Sequence, residues 1–165
     1  MALNTNTNTN FNKVVDFNKS FGVPVFTEEQ KNVFKNNPKL VKLRLSLIQE
    51  EVKELEQAID EHDFTEVIDA LSDILYVVYG AGASFGIDLD RSFNIVHESN
   101  MSKLCKTEDE AQKTVSNYER LWNEKTSPYD SPDYRRADDG INWVVFNKST
   151  GKILKSINYT PAKFD

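Results

Sequence analysis

Apolar side chains recur at helical spacing from residue 39 onward. Val41, Leu45, Ile48, Val52, Leu55 and Ile59 form one stripe. Leu40, Leu43 and Leu47 form a second stripe beside it, in the first half only. Lys42, Ser46, Gln49, Lys53 and Gln57 fill the remaining, solvent-facing side. The pattern predicts a helix over 39–61. A second helix is predicted over 64–84, with Gly86 as its stop. Its later part, ILYVVYGAGASFG, is apolar all round, which predicts burial on nearly every side. A third helix over 89–104 opens at Asp88 and turns Leu89, Phe93 and Val96 inward. Thr107 and Glu110 have capping-box spacing and start a fourth helix that runs to about residue 124. Before these, Phe11 to Phe21 reads as a short helix or turn-rich lead-in. Gly22, Pro24 and Pro38 punctuate the chain between it and the first long helix. After the helices, SPYDSPDYRRADDG breaks the pattern. Residues 142–146 and 152–159 are β-rich and joined by NKSTG, so they read as a hairpin. The expectation is a mainly α fold with a short C-terminal β-hairpin: a polar, disordered tail over 1–10, a helical domain over 11–125 and an extension over 126–165.

The polar exceptions to this pattern carry the chemistry. Down the axis of the first long helix, Glu51 and Glu54 fall on the direction of the second apolar stripe, with Glu50 at its margin. Glu56 borders the solvent side. In the next helix Glu66, Asp69 and Asp73 lie within about 60° of one another and run into its apolar half. Carboxylates brought near a core without partners are costly, and like charges one turn apart repel. Two antiparallel helices joined near His62 and Asp63 would bring both acidic arcs together, and a bound cation would remove both costs. The alternative is two solvated acidic faces.

Oxygen ligands at this density suit Mg²⁺ or Mn²⁺. The Glu-x-x-His pattern of di-iron bundles is absent, since His62 and His97 follow Ile59 and Asn94 at that spacing. Too few Cys and His residues are present for zinc, and there is no EF-hand loop. Asn100, on the inward stripe of the third helix, and Lys103, at its edge, are candidate phosphate contacts. Arg44 either pairs with an acid or meets phosphate. Phe17, Phe21, Tyr76 and Tyr79 form either core or a base pocket.

Composition narrows the class. The 165 residues carry a net charge of −6, which argues against a broad nucleic-acid or anionic-membrane surface. One cysteine, Cys105, excludes an intrachain disulfide and points to a reducing compartment, the cytoplasm. The longest apolar run, 74–85, is short of the ~20 residues of a membrane span.

At these residues the chain resembles the all-α nucleoside triphosphate pyrophosphohydrolases, the MazG-like superfamily that includes phosphoribosyl-ATP pyrophosphohydrolase and dimeric dUTPases. Glu50-Glu51-Val52-Lys53-Glu54 matches the family's Glu-Glu-x-x-Glu. Its Glu-x-x-Asp is matched literally by Glu66-Val67-Ile68-Asp69. However, DILYVV resembles the segment that follows the motif aspartate, which selects Asp73 and leaves Ala70 at the glutamate position, with Asp69 assisting. FNKSFGVPV, HESNMSKLCKTEDEAQKTV and GKILKSINYTPAKF resemble a subgroup found in viruses and bacteria.

The resemblance implies a helical bundle that associates as a dimer or tetramer. It implies Mg²⁺-dependent cleavage between the α and β phosphates of a nucleoside triphosphate, giving monophosphate and pyrophosphate. Glu51, Glu54 and Asp73 would hold the metal, with Asp69 or Glu50 completing the shell or orienting the attacking water. Lys103 and Asn100 would contact phosphate. A histidine-pathway reaction on phosphoribosyl-ATP and a non-enzymatic helical module are the alternatives.

Overall fold

The computed structural model describes residues 9–164. Among them are six helices, α1 (Asn10–Ser20), α2 (Val33–Asn36), α3 (Pro38–Asp60), α4 (Phe64–Phe85), α5 (Leu89–Met101) and α6 (Glu108–Asn123). Two strands follow, β1 (Pro132–Arg136) and β2 (Trp143–Asn147). The fold is mainly α. The expected tail over 1–10 lies outside the described residues except for Thr9, whose hydroxyl caps α1 at Asn12, and Asn10, which opens that helix. The contacts gather into two compact units that divide between Ser92 and Phe93. α6 packs with the C-terminal strands and belongs to the second unit.

In the first unit, local chemistry sets the helix ends. Asn37 Oδ1 accepts from the Leu40 amide (3.2 Å), with Pro38 following it as the first helical residue of α3. Asp63 Oδ1 accepts from the amides of Thr65 (2.9 Å) and Glu66 (3.1 Å) and opens α4. Between them His62 turns the chain at φ 59°. α4 ends at Gly86, whose φ of 71° is the left-handed C-cap conformation. The last turns of α4 also hold the chain before α2. Ala83 O accepts from the Phe26 amide, Phe85 O accepts from the Gln30 amide, and Ser84 Oγ donates to Pro24 O (2.9 Å). Phe11, Val15 and Ala83 form the core here, with Val25, Tyr79 and Leu89 packed around them.

Three expectations are corrected in detail. Gly80 to Ser84 are buried, but Leu75 and Tyr76 at the start of the all-apolar run remain 54% and 40% exposed, so burial on every side applies only to its second half. As a whole, α4 is also apolar enough by length and composition alone to cross a membrane, which the run 74–85 is not. On α5, Phe93 is 69% exposed, and the buried line instead passes through Ile95 and Ser99. The reason is polar: Ser99 Oγ donates to Tyr159 Oη (3.0 Å), while Ser102 Oγ accepts from the Thr160 amide (2.9 Å).

The third correction is the hairpin. Residues 143–147 do form a strand, but their antiparallel partner is Pro132–Arg136, not 152–159. The turn is made by ADDG, where Asp139 Oδ1 accepts from the amides of Ile141 and Asn142. Residues 152–159 keep an isolated bridge to Phe146 and otherwise turn to α6. Glu110, Thr114 and Tyr118 stand one turn apart and form a polar stripe. Thr114 Oγ1 accepts from the Ile157 amide (3.2 Å), Tyr118 Oη accepts from the Lys155 amide (3.2 Å), and Glu110 accepts from the Ser156 hydroxyl. Donors held by side chains are lost to a strand ladder. Beneath them lies a core of Cys105, Ala111, Val145 and Leu154.

A Cβ on Gly86 would meet Glu28 O at 1.9 Å, and the backbone there is left-handed. Gly86→Ala is therefore expected to lower stability by about 2–3 kcal/mol in urea denaturation, with the segment before α2 loosened first.

Candidate functional site

The buried line of α3 passes through Leu40, Arg44 and Ala58, with Glu51 half-buried between the last two. Arg44, Glu51 and Ala58 follow one another at nearly two turns each, so they share one side of the helix. That side faces α4, and two of its members are ionic.

Glu51 Oε2 is shielded from solvent and has no hydrogen-bond partner. Burial pushes the carboxyl's pKa up, and Glu54, Asp73, Glu50 and Asp69 push it further in that order. Five carboxylates from two helices therefore act on one another around a partly desolvated centre. Glu50, Glu54, Asp69 and Asp73 themselves are exposed. Glu66 stands apart. It sits in the first turn of α4, where its amide is capped by Asp63, and it is not among the charges felt at Glu51. Asp69 and Asp73, one turn apart, supply the α4 side of the cluster.

Among the described residues no three acidic, histidine or cysteine side chains stand ready to hold a metal ion. The donor set nevertheless fits Mg²⁺ or Mn²⁺. All the donors are hard carboxylate oxygens, and the shielded Glu51 oxygen lacks a partner of the kind such an ion provides.

Arg44 is 7% exposed, and its Nε has no partner. It makes no ion pair among the described residues. Burial lowers its pKa. Its Nη1 comes within 3.3 Å of the point where a Cβ on Gly80 would sit, so the glycine makes room for the guanidinium between α3 and α4. A buried guanidinium without an ion pair has the hydrogen-bonding capacity to meet an anion.

Asn100 and Lys103 belong to the second unit. Asn100 is exposed rather than inward, and Lys103 Nζ donates to its Oδ1 at 2.7 Å. The aromatics separate into two kinds. Tyr79 packs on Phe11 in the core (6.2 Å). Phe17 stacks on Phe21 (4.3 Å) and meets Tyr76 edge-on (5.5 Å), and these three are exposed. One polar residue missed in the sequence also lies here. Asn18 is 3% exposed and its Nδ2 has no partner. It continues the Phe11, Val14, Val15 face of α1, and an amide on that apolar face was the available signal.

Comparison with known proteins bears on this arrangement. A model of the phosphoribosyl-ATP pyrophosphohydrolase family matches residues 14–100, more than half of the chain, and spans the latter part of α1, both acidic helices and most of α5. An uncharacterized protein of Acanthamoeba polyphaga mimivirus is 32% identical, across 90% of this chain and 91% of its own length.

The raised Glu51 pKa has a definite sign. The folded chain holds this proton more tightly than the unfolded chain, so stability falls as pH rises from the ordinary glutamate range through the raised value. Without divalent ions, Glu51→Gln should flatten that fall and give a higher Tm than wild type at neutral pH. Added Mg²⁺ should raise the wild-type Tm more than the variant's. Scanning calorimetry across pH, with and without Mg²⁺, checks both.

Proposed function

The chain belongs to the phosphoribosyl-ATP pyrophosphohydrolase family, and from that membership we propose that it is a Mg²⁺-dependent nucleoside triphosphate pyrophosphohydrolase of the nucleotide pool. Family membership supports a pyrophosphohydrolase-type activity. The finer reading rests on one observation: a half-buried Glu51 with a partnerless oxygen, facing acids from two helices.

Glu51, Glu54, Asp73 and Asp69 would hold Mg²⁺. When bound, the ion would neutralise phosphate charge and make the bridging oxygen a better leaving group. Glu50 lies at the edge of the cluster and would orient the attacking water. As the water's oxygen bonds to phosphorus, its proton passes to a carboxylate, Glu50 or Glu51. The α–β anhydride bond breaks, and pyrophosphate leaves with the bond's electron pair. Arg44 would meet a phosphate oxygen; Lys103 with Asn100, in the second unit, would be a separate anion contact. Catalysis is then positioning and charge stabilisation, with no covalent enzyme intermediate.

The same helices favour self-association. Leu45 and Ile59 on α3, and Ile68, Leu71 and Leu75 on α4, are each about half exposed. Much of the main apolar stripe read in the sequence is therefore uncovered in a single chain. A homodimer or homotetramer would bury it.

The test is a nucleotide panel with Mg²⁺, containing each common NTP and dNTP, dUTP and phosphoribosyl-ATP, with products separated by ion exchange. Monophosphate and pyrophosphate are expected, with Glu51→Ala and Asp73→Ala each slower by at least about 100-fold. Diphosphate and orthophosphate would refute the bond assignment. Turnover of phosphoribosyl-ATP alone would assign the reaction of the family's namesake. Light scattering should give a mass above one chain, and Leu45→Glu with Leu71→Glu should return it to one.

A further inference from the structure

We propose that the lysine-rimmed cavity between α2 and the start of α3 is a docking site for a partner protein, which enters it with an acidic segment carrying one large apolar side chain. The inference goes beyond the hydrolytic reading and does not depend on it.

Charge is unevenly placed along the chain. Lys31, Lys35, Lys39, Lys42 and Arg44 are five cations in a stretch, 30–49, that contains no acid. Arg44 is turned inside, and the four lysines are exposed. Lys31 meets Glu29 at 3.3 Å in a pair open to solvent, and such pairs hold weakly. Lys35, Lys39 and Lys42 form no ion pair among the described residues. The first turn of α3 holds no acid, so the positive end of that helix adds to the field. On a chain of net charge −6, this patch draws acidic groups to one place.

The patch borders a cavity of about 390 Å³. Val33, Leu40 and Phe26 give it apolar surface, and Gln30, Asn32 and Asn36 bring amides to its walls. Phe34, beside it in sequence, is 70% exposed. The walls are fixed by backbone hydrogen bonds. Phe26 and Gln30 donate to Ala83 O and Phe85 O at the end of α4, and the Asn37 amide donates to Val33 O (2.8 Å). A cavity formed in advance lowers the ordering cost of binding. Its apolar floor suits an anchoring side chain, the amides suit a peptide backbone, and the lysines suit flanking carboxylates. The acids of the hydrolytic site are elsewhere: Glu51 lies eleven residues beyond Leu40, about 16 Å along α3. A single-stranded nucleic acid fits less well. It asks for a succession of open rings, and beyond the patch a polyanion meets an acidic chain.

The experiment selects a displayed library of random peptides, about twelve residues long, on the full chain at low salt. Enriched peptides are then titrated by fluorescence anisotropy. They are expected to be acidic with one aromatic or long aliphatic residue, and its replacement by Ala should weaken binding about tenfold or more. Lys35→Glu with Lys39→Glu should also weaken binding about tenfold or more, with Tm and nucleotide turnover unchanged. Asn36→Trp, which puts an indole at the cavity, should do the same. Where Asn36→Trp lowers Tm, the lysine pair decides, since both side chains are exposed and unpaired. No enrichment overturns the proposal. So do enriched peptides that lack acids, tolerate Ala at the anchor, or bind the lysine variant as tightly as wild type. A labelled oligothymidylate that binds more tightly than the peptides, and is lost in the same variant, makes the patch a nucleic-acid surface and overturns it as well.

Discussion

A helix seam tolerates ions only where something answers their charge, and the seam between α3 and α4 holds two. Arg44 and Glu51 occupy positions on α3 that in a simple bundle would be leucine. They do not neutralise each other by pairing: among the described residues the guanidinium forms no ion pair, and the carboxylate keeps a partnerless oxygen. Replacing such groups with apolar residues commonly costs nothing in stability. Their presence is therefore not explained by packing, and it agrees with the proposed binding role of this stretch, with the cation facing one end and the acids the other.

The surrounding structure accommodates this stretch. Gly80 supplies the gap that Arg44 fills. α4 changes character along its length, from exposed acids near Asp63 to a buried run of small residues, Gly80 to Ser84. That run lets α1 and the chain after Pro24 pack closely, and it fixes α1 against α4 where the aromatics emerge. The capped ends at Asp63 and Gly86 hold α4 in register. A slip of one residue would turn Asp73 away from Glu51.

Much of this was legible because it is local. Thr107 with Glu110, and Gly86, act within one helical turn, so their spacing alone gives those helix ends. The direction of Glu51 and Glu54 follows from the helical period. What failed was decided across the chain. Phe93 sits on the more apolar face of α5, but hydroxyls from Ser99 and Ser102 tie the other face to the C-terminal segment. Residues 152–159 are β-rich, yet the amides of Lys155 and Ile157 are taken by side chains of α6. The burial of Arg44 depends on a glycine 36 residues away. Asn18 was visible by its period on α1, but nothing local marks a buried amide as unpartnered.

The stripe of Glu110, Thr114 and Tyr118 has a consequence for how this protein can change over generations. Tyr118 and Thr114 hold the backbone amides of Lys155 and Ile157, and Glu110 holds the Ser156 hydroxyl. Except at Ser156, whose own hydroxyl is held, the gripped segment is free to drift in sequence while keeping its path. The helix that grips it is not. Divergence among relatives should therefore gather in the C-terminal segment, and its shape should be inherited through three positions of α6.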